Sequence, residues 1–412
     1  MEKQKYPEVR FSQFHKSWEV QPLKNIFGKI RNAFVGTATP FYVKKGNFYL
    51  ESNNVKDGKI NKKSQIFIDD YFYLKQRDKW LKTDDLVMVQ SGHVGHSAVI
   101  SEDLNNSAAH ALIMFSAYKV QTNPHFLNYQ WQTNSAKNAI EKIATGNTIR
   151  HILSSDMKEF LSFFSSYDEQ SQIGNFFQNL DQSIALQEKK LAQTQNLKKA
   201  MLEKMFPKAG SQQPEIRLKG FSGDWDTINL ESLCSIGDID HRMPESTKSG
   251  IPYLMTGDFL GINELDFENA KLISNEDYEQ LSKKIKPEIG DILFARYASV
   301  GTVRLVVTDI KFLISYSCAI LKTSVNSNGE YLFYWFQTAF AQNQIEQEIN
   351  TGSQRNIGID SLKKLSVRLP KANEQKAIAN FFKQLDETLA LQQQQLQTLK
   401  NLKQAFLEKM FV

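Results

Sequence analysis

Two stretches of this chain carry apolar residues at alternating steps of four and three over 38 positions, and the rest of it does not. In Glu169–Phe206 the recurring positions are Ile173, Phe177, Leu180, Ile184, Leu191, Met201 and Met205. In Glu374–Phe411 they are Ile378, Phe382, Leu385, Leu389, Leu396, Leu399, Phe406 and Met410. This spacing is the heptad seam of a helix that buries one narrow face against another helix. Gln187, Thr194 and Lys198 interrupt the first seam, and Gln392 and Lys403 the second. Neither stretch contains proline, and Pro207 and Gly210 follow the first as breakers. At ~1.5 Å per residue each helix is predicted to run roughly 55 Å. A helix that long cannot bury so narrow a strip alone, so the expected partner is the other helix, antiparallel, with two equal modules about a pseudo-twofold axis. The alternative is that each helix packs on its own globular domain.

The remaining segments differ in kind. They hold short runs of β-branched and aromatic residues bounded by turn formers: NFYLES, LVMVQSG, HSAVIS, GTVRLVV and KFLISYSCAILK. Short helices are predicted around Pro124–Ile143 and Glu330–Ile349. The fold class that follows is α+β: two globular mixed domains joined by two long helices in an antiparallel coiled coil. The expected limits are residues 1–155 for the first domain, 156–210 for the first helical region, 211–361 for the second domain and 362–412 for the second helical region.

The two halves are copies of one module. Glu169–Phe206 and Glu374–Phe411 align without a gap at an offset of 205, with more than half of the positions identical. PEVRF at Pro7–Phe11 answers PEIRL at Pro214–Leu218, Phe14 answers Phe221, and Trp18 answers Trp225. DLVMVQSGHVG (Asp85–Gly95) answers DILFARYASVG (Asp291–Gly301), and Thr145-Gly146 answers Thr351-Gly352. A repeat of this kind decides the architecture before any single motif does.

Composition adds little. A hydrophobic fraction of 41% with 11% aromatics is that of a globular protein. No run reaches the ~18 apolar residues of a membrane span. The opening MEKQKYPEVRFSQF has no apolar core and is not expected to be a secretory signal. Cys234 and Cys318 have no metal-ligand spacing and read as reduced, partly buried thiols, so a cytoplasmic location is expected. A net charge of +5 permits a nucleic-acid partner without requiring one.

Catalytic constellations are missing. There is no phosphate-binding Gly-Lys-Ser/Thr loop, no dinucleotide fingerprint, and no Asn/Asp-Pro-Pro-aromatic motif of adenine methyltransferases. His93 and His96 lack a nearby carboxylate or cysteine cluster, so no metal is expected there. Asp69-Asp70 and Glu276-Asp277 read as helix starts rather than general acids. No catalytic residue is assigned.

With the duplicated helix EQ…I…NFF…LD…NL…A.LEKMF, the PEVRF/PEIRL openings and the TG loops before each helix, the chain resembles the specificity subunit of type I restriction-modification systems over essentially its whole length. The resemblance implies a non-catalytic subunit whose two variable domains each read one half of a split, asymmetric DNA site, with the helices as spacer. It further implies two modification subunits that hold S-adenosylmethionine and methylate adenine, and two motor-nuclease subunits that use ATP and Mg. This chain itself is expected to bind no cofactor. A different class, a coiled-coil scaffold presenting two protein-binding domains, stays open beside it.

Base readout needs donors and acceptors on exposed loops, and phosphate contacts need cations or backbone amides. In the first module the candidates are Arg31, Asn32, Lys44, Lys45, Asn53, Asn54, Ser91, His93, His96, Asn147, Thr148 and Arg150. In the second they are His241, Arg242, Thr256, Asp258, Arg296, Tyr297, Ser299, Ser353, Gln354, Arg355 and Asn356. Arg296 or Arg355 would suit guanine, and Asn53, Asn54 or Gln354 adenine.

Overall fold

The computed structural model describes residues 6–146, 150–323, 328–352 and 355–412. The chain packs as two units, one of residues 1–188 with 395–412 and one of residues 189–394.

In the first unit a four-stranded antiparallel sheet runs in the order Phe27–Asn32, Leu112–Tyr118, Leu86–Val89, Ser97–Val99. The strand Leu86–Val89 is buried throughout because it is covered on both faces. Leu86 and Met88 enter one core with Trp18, Phe126 and Phe177, while Val87 and Val89 enter another with Leu50, Leu112 and Met114. Alternate residues of a strand point to opposite faces, so four consecutive apolar residues serve two cores. A second sheet orders Ala108–His110, Asn47–Glu51, Ile66–Ile68 and Tyr42–Val43, its first pair parallel.

The second unit repeats this plan. Cys234–Gly237, Cys318–Thr323, Ile292–Ala295 and Val303–Leu305 form its antiparallel sheet. Lys271–Ile273, Ile251–Leu254 and Leu313–Ile314 form a three-stranded one. Cys234 and Cys318 are free and buried, and burial pushes both thiols up to about 12.

Each periodic stretch before a long helix is two short helices. Pro124–Gln130 is followed by Asn134–Ile143, and Gly329–Trp335 by Ala339–Gln347. Thr133 and Thr338 cause the breaks: each hydroxyl accepts from a backbone amide three residues on, the N-cap arrangement that starts a new helix. Asp69 and Ser274 cap Asp70–Lys75 and Asn275–Leu281 in the same way, so those acidic pairs are helix starts.

Leu161–Phe164 pairs with Glu19–Pro22, and Ser366–Leu369 with Asp226–Asn229. Each globular domain is closed by a strand just before its long helix, beyond the limits of 155 and 361 expected from composition. The long helices are Tyr167–Lys204 and Ala372–Lys409, 38 residues each. None of the fifteen predicted seam residues is exposed.

Within each unit the two helices run antiparallel. In the first, Phe176 meets Phe406, Asp181 meets Lys403, and Gln187 meets Gln395. In the second, Lys198 meets Asp386 and Phe206 meets Phe382. The polar interruptions of the seam are therefore occupied positions. Lys403 Nζ lies 2.9 Å from Asp181 Oδ1, and Tyr129 Oη donates to Asp181 Oδ2 at 2.8 Å. The repeat builds the same triad from Lys198, Asp386 and Tyr334, the tyrosine donating at 3.0 Å. Burial pushes the Asp181 carboxyl up, and Lys403 and Lys59 outweigh it, leaving it below the ordinary carboxylate range.

The EQ pair that opens each helical motif also has a task. Glu169 takes both Nε and Nη2 of Arg10 at 2.6 and 2.8 Å, and Glu374 takes Arg217 at 2.8 Å twice. Gln170 and Gln375 accept from the amides of Asn123 and Asn328, the caps of the preceding helices. The sequence signature thus ties helix start, module opening and short helix together.

Candidate nucleic-acid interface

In each unit two distant segments close side by side through the same backbone bridges. Ser91 bridges His151, which bridges Thr145 in turn, and in the repeat Tyr297 bridges Asn356, which bridges Asn350. Gly92 N donates to the carbonyl of Arg150 at 3.1 Å, and Ile152 N to that of Gln90 at 3.0 Å. The repeat matches the second bond with Ile357 N on the carbonyl of Arg296 at 3.1 Å. The loop after the central strand and the loop before the long helix are thereby one surface feature in each unit.

The first unit places Ser91, His93 and Arg150 on this feature. Ser91 Oγ is 2.6 Å from His151 Nδ1. His93 is exposed, and its ring centre stands 6.5 Å from that of His96. His96 Nδ1 accepts from Asp57 N at 3.3 Å, at the hairpin that follows Asn53 and Asn54, and burial lowers its pKa against the opposing pull of Asp57. Arg150 is exposed and donates to the carbonyls of Glu141 and Ala144. Other candidates are held elsewhere. Lys44 and Lys45 are exposed between the strands Tyr42–Val43 and Asn47–Glu51. Arg31 binds the carbonyl of Asp78, and Asn32 ends its strand half-buried. Asn53 is exposed.

The second unit gathers Arg296, Tyr297, Ser299, Arg355 and Asn356. Tyr297 is half-buried with the Arg296 guanidinium 5.6 Å from its ring centre. Ser299 is exposed, and exposed Arg355 pairs with Glu346. His241 joins them through Asp238, whose Oδ2 lies 3.0 Å from His241 Nε2, and its ring stacks on Tyr316. Arg242 binds Asp277 at 2.7 Å, and Thr256 lies in a half-buried turn with Asp258.

Three candidates are not the free loop donors or acceptors expected from polarity. Arg296 is 6% exposed, because its guanidinium is held by Asp238 and by the carbonyl of Ile357. Asn54 is 3% exposed and spends its amide on the carbonyls of Asn61 and Ser64 and the amide of Glu51. Asp258 Oδ2 accepts from Met255 N at 2.7 Å, closing a turn. Asn147, Thr148, Ser353 and Gln354 lie outside the described residues.

Among the described residues no group of three His, Cys, Asp or Glu could hold a metal, and no helix is long and apolar enough to cross a membrane.

Residues 222–401 match the family model described as the type I restriction modification DNA specificity domain. A putative type I restriction enzyme MjaX specificity subunit from Methanocaldococcus jannaschii is 22% identical over 416 residues, covering 97% of this chain and 93% of that one. The chain is similar to the specificity subunits of type I restriction-modification systems over nearly its whole length. A second such subunit of that archaeon, MjaVIII, is 21% identical over 57% of each chain. The fold agrees. A type I restriction-modification S subunit from M. genitalium superposes with a TM-score of 0.62 at 15% identity, over 99% of both chains. A chain from a study of complex assembly and conformational transition of the type I system gives 0.57 at 18%, over 96% and 97%. Specificity subunits are the non-catalytic members of these systems.

Sequence reasoning missed several residues of this candidate interface. His151 pairs with Ser91 from 60 residues away, and Asp238 organises Arg296, His241 and Lys284. Burial pushes the Asp238 carboxyl up, and hydrogen bonds from His241 and Lys284 together with the charge of Arg296 leave it below the ordinary range. His151 was within reach, since it stands one residue from Arg150 in the same loop. Asp238 carries no such signal.

Proposed function

We propose that each unit reads one half of an asymmetric, bipartite DNA site through its paired loops, and that the long helices set the unread gap and dock the modification subunits. The observation that carries this reading is the contrast within the repeat. The backbone bridges at Ser91–His151 and Tyr297–Asn356 are the same, while the side chains they present differ. Base identity is read by side-chain donors and acceptors, so one frame with two sets of side chains suits two different half-sites. In this reading the chain works in the cytoplasm with two modification subunits, which carry S-adenosylmethionine, and with two motor-nuclease subunits, which use ATP and Mg. It holds none of these itself. Partner subunits share the phosphate contacts, in keeping with a net charge of +5.

The test is adenine-methylation mapping of DNA from cells that express the chain with its modification subunit. Two unlike half-sites separated by a fixed gap are expected. One continuous motif, or two identical halves, would contradict the reading. If the chain is instead a protein-binding scaffold, the assembled complex shows no salt-dependent affinity for duplex DNA.

A further inference from the structure

At one place the two units, built on one plan, are wired differently. Arg296 follows the strand Ile292–Ala295, and its Nη1 donates to Asp238 Oδ2 at 2.5 Å. Its Nε donates to the carbonyl of Ile357 at 3.1 Å. One guanidinium thus ties the end of the strand Cys234–Gly237 to the loop that carries Arg355 and Asn356. Asp238 is 7% exposed and also takes Lys284 Nζ at 3.0 Å.

Sheet register locates the same place in the first unit. Gly237 stands opposite Ile320 and Ala295 opposite Cys318, while Asn32 stands opposite Ile113 and Val89 opposite Leu112. Cys318 and Ala319 answer Leu112 and Ile113, so Asn32 answers Asp238 and Gln90 answers Arg296. The backbone bonds agree, since Ile152 N meets the Gln90 carbonyl as Ile357 N meets that of Arg296. Gln90 is 9% exposed, yet among the described residues its Oε1 has no hydrogen-bond partner, and neither has Asn32 Oδ1. Where the second unit has a closed ion pair, the first has two amide oxygens without a partner among the described residues. It joins its loops one residue farther out, through Ser91 and His151.

A buried ion pair adds little net stability over apolar residues of the same size, because desolvation offsets the attraction. What it supplies is geometry. Arg296 fixes the base of Tyr297 on one side and of Asn356 on the other. We propose that Asp238 and Arg296 are positioning residues for DNA reading by the second unit. The pair holds Tyr297 and the Arg355–Asn356 segment in their reading arrangement, and neither side chain contacts a base. The inference rests on the DNA-reading function proposed above.

The test uses the full chain assembled with its modification subunits and the site found by methylation mapping. It measures affinity for the intact duplex and for duplexes with single base-pair changes in either half-site, beside the thermal melt. Asp238→Asn and Arg296→Gln are each expected to weaken intact-site binding about tenfold, or about 1.4 kcal/mol. Both should shrink the penalties at several base pairs of the second half-site and leave those of the first unchanged. The double variant D238N/R296Q, which copies the amide pair of the first unit, should lose no more than either single variant. Arg296→Lys, which keeps a cation beside Asp238, should recover part of the loss. If Arg296→Gln alters preference at one base pair and Asp238→Asn does not, Arg296 is a reader and the proposal fails. It also fails if the variants lower the melting temperature without moving any penalty. A wild-type complex that binds all duplexes alike would instead sink the DNA-reading function itself.

Discussion

Asp386, on the second long helix, holds the ammonium of Lys198 from the first at 2.6 Å, with both side chains largely out of solvent. Lys198 looked like a fault in the heptad, and the structure makes it one member of a triad. Polar residues at seam positions cost stability but specify register and orientation, since an unpaired buried charge penalises every other alignment.

Loss of that lysine should be felt unequally in the two units. Lys198→Met strands Asp386 and is expected to cost ~3–5 kcal/mol. Lys403→Met should cost less, because Lys59 remains 2.9 Å from Asp181. Denaturant unfolding of the two variants checks this, and equal losses would speak against the triads as described.

Asp85 gives a pH signature. Its carboxyl is pushed up to about 6 by burial, against the opposing amide of Lys82. The unfolded value is near ~3.9, so the folded state holds this proton more tightly. Its contribution is therefore full below about pH 4 and is lost as pH rises through about 6. Asp85→Asn keeps an acceptor for Lys82 N, and its melting temperature should gain on wild type steadily from about pH 4 to pH 7. A difference that does not change with pH would refute the assignment.

His151→Ala should loosen discrimination in the first half-site alone. The side chain is exposed and its partner is Ser91, so stability should move by no more than ~0.5 kcal/mol. Binding to duplexes altered in each half-site is the measurement, and a matching change in the second half-site would count against separate readers.

Phe411→Ala tests where the second helix ends. Phe411 is buried with Trp18, Phe126 and Phe177 in the first unit's core, and its loss should cost ~3–5 kcal/mol. Hydrogen exchange should rise around Trp18 and Phe126 first. An even rise over residues 189–394 would contradict the packing.

How much of this was legible in the sequence depended on range. The seam residues, the EQ pair and the acidic helix starts obey local periodicity, so one chain segment suffices to place them. Strand order does not, because Leu86–Val89 pairs with Leu112–Tyr118 through register that apolar runs leave open. The candidate interface shows in the sequence as loops but not as contacts. Arg296 and Asn54 read as exposed donors because polarity was the signal, whereas their burial depends on Asp238 and on Asn61 and Ser64, which no spacing rule connects to them. Gln90 escaped notice for the converse reason: it continues an apolar strand and looks like its end.

The core of the first unit takes Leu407, Met410 and Phe411 from the far end of the described chain. A domain generally folds as its residues leave the ribosome, N-terminal part first. Here the N-terminal domain is synthesised early but lacks part of its interior until after the second domain has been made. The unit that begins first is finished last, so a translation stop anywhere before residue 407 leaves the first half with an open core, whichever half it interrupts.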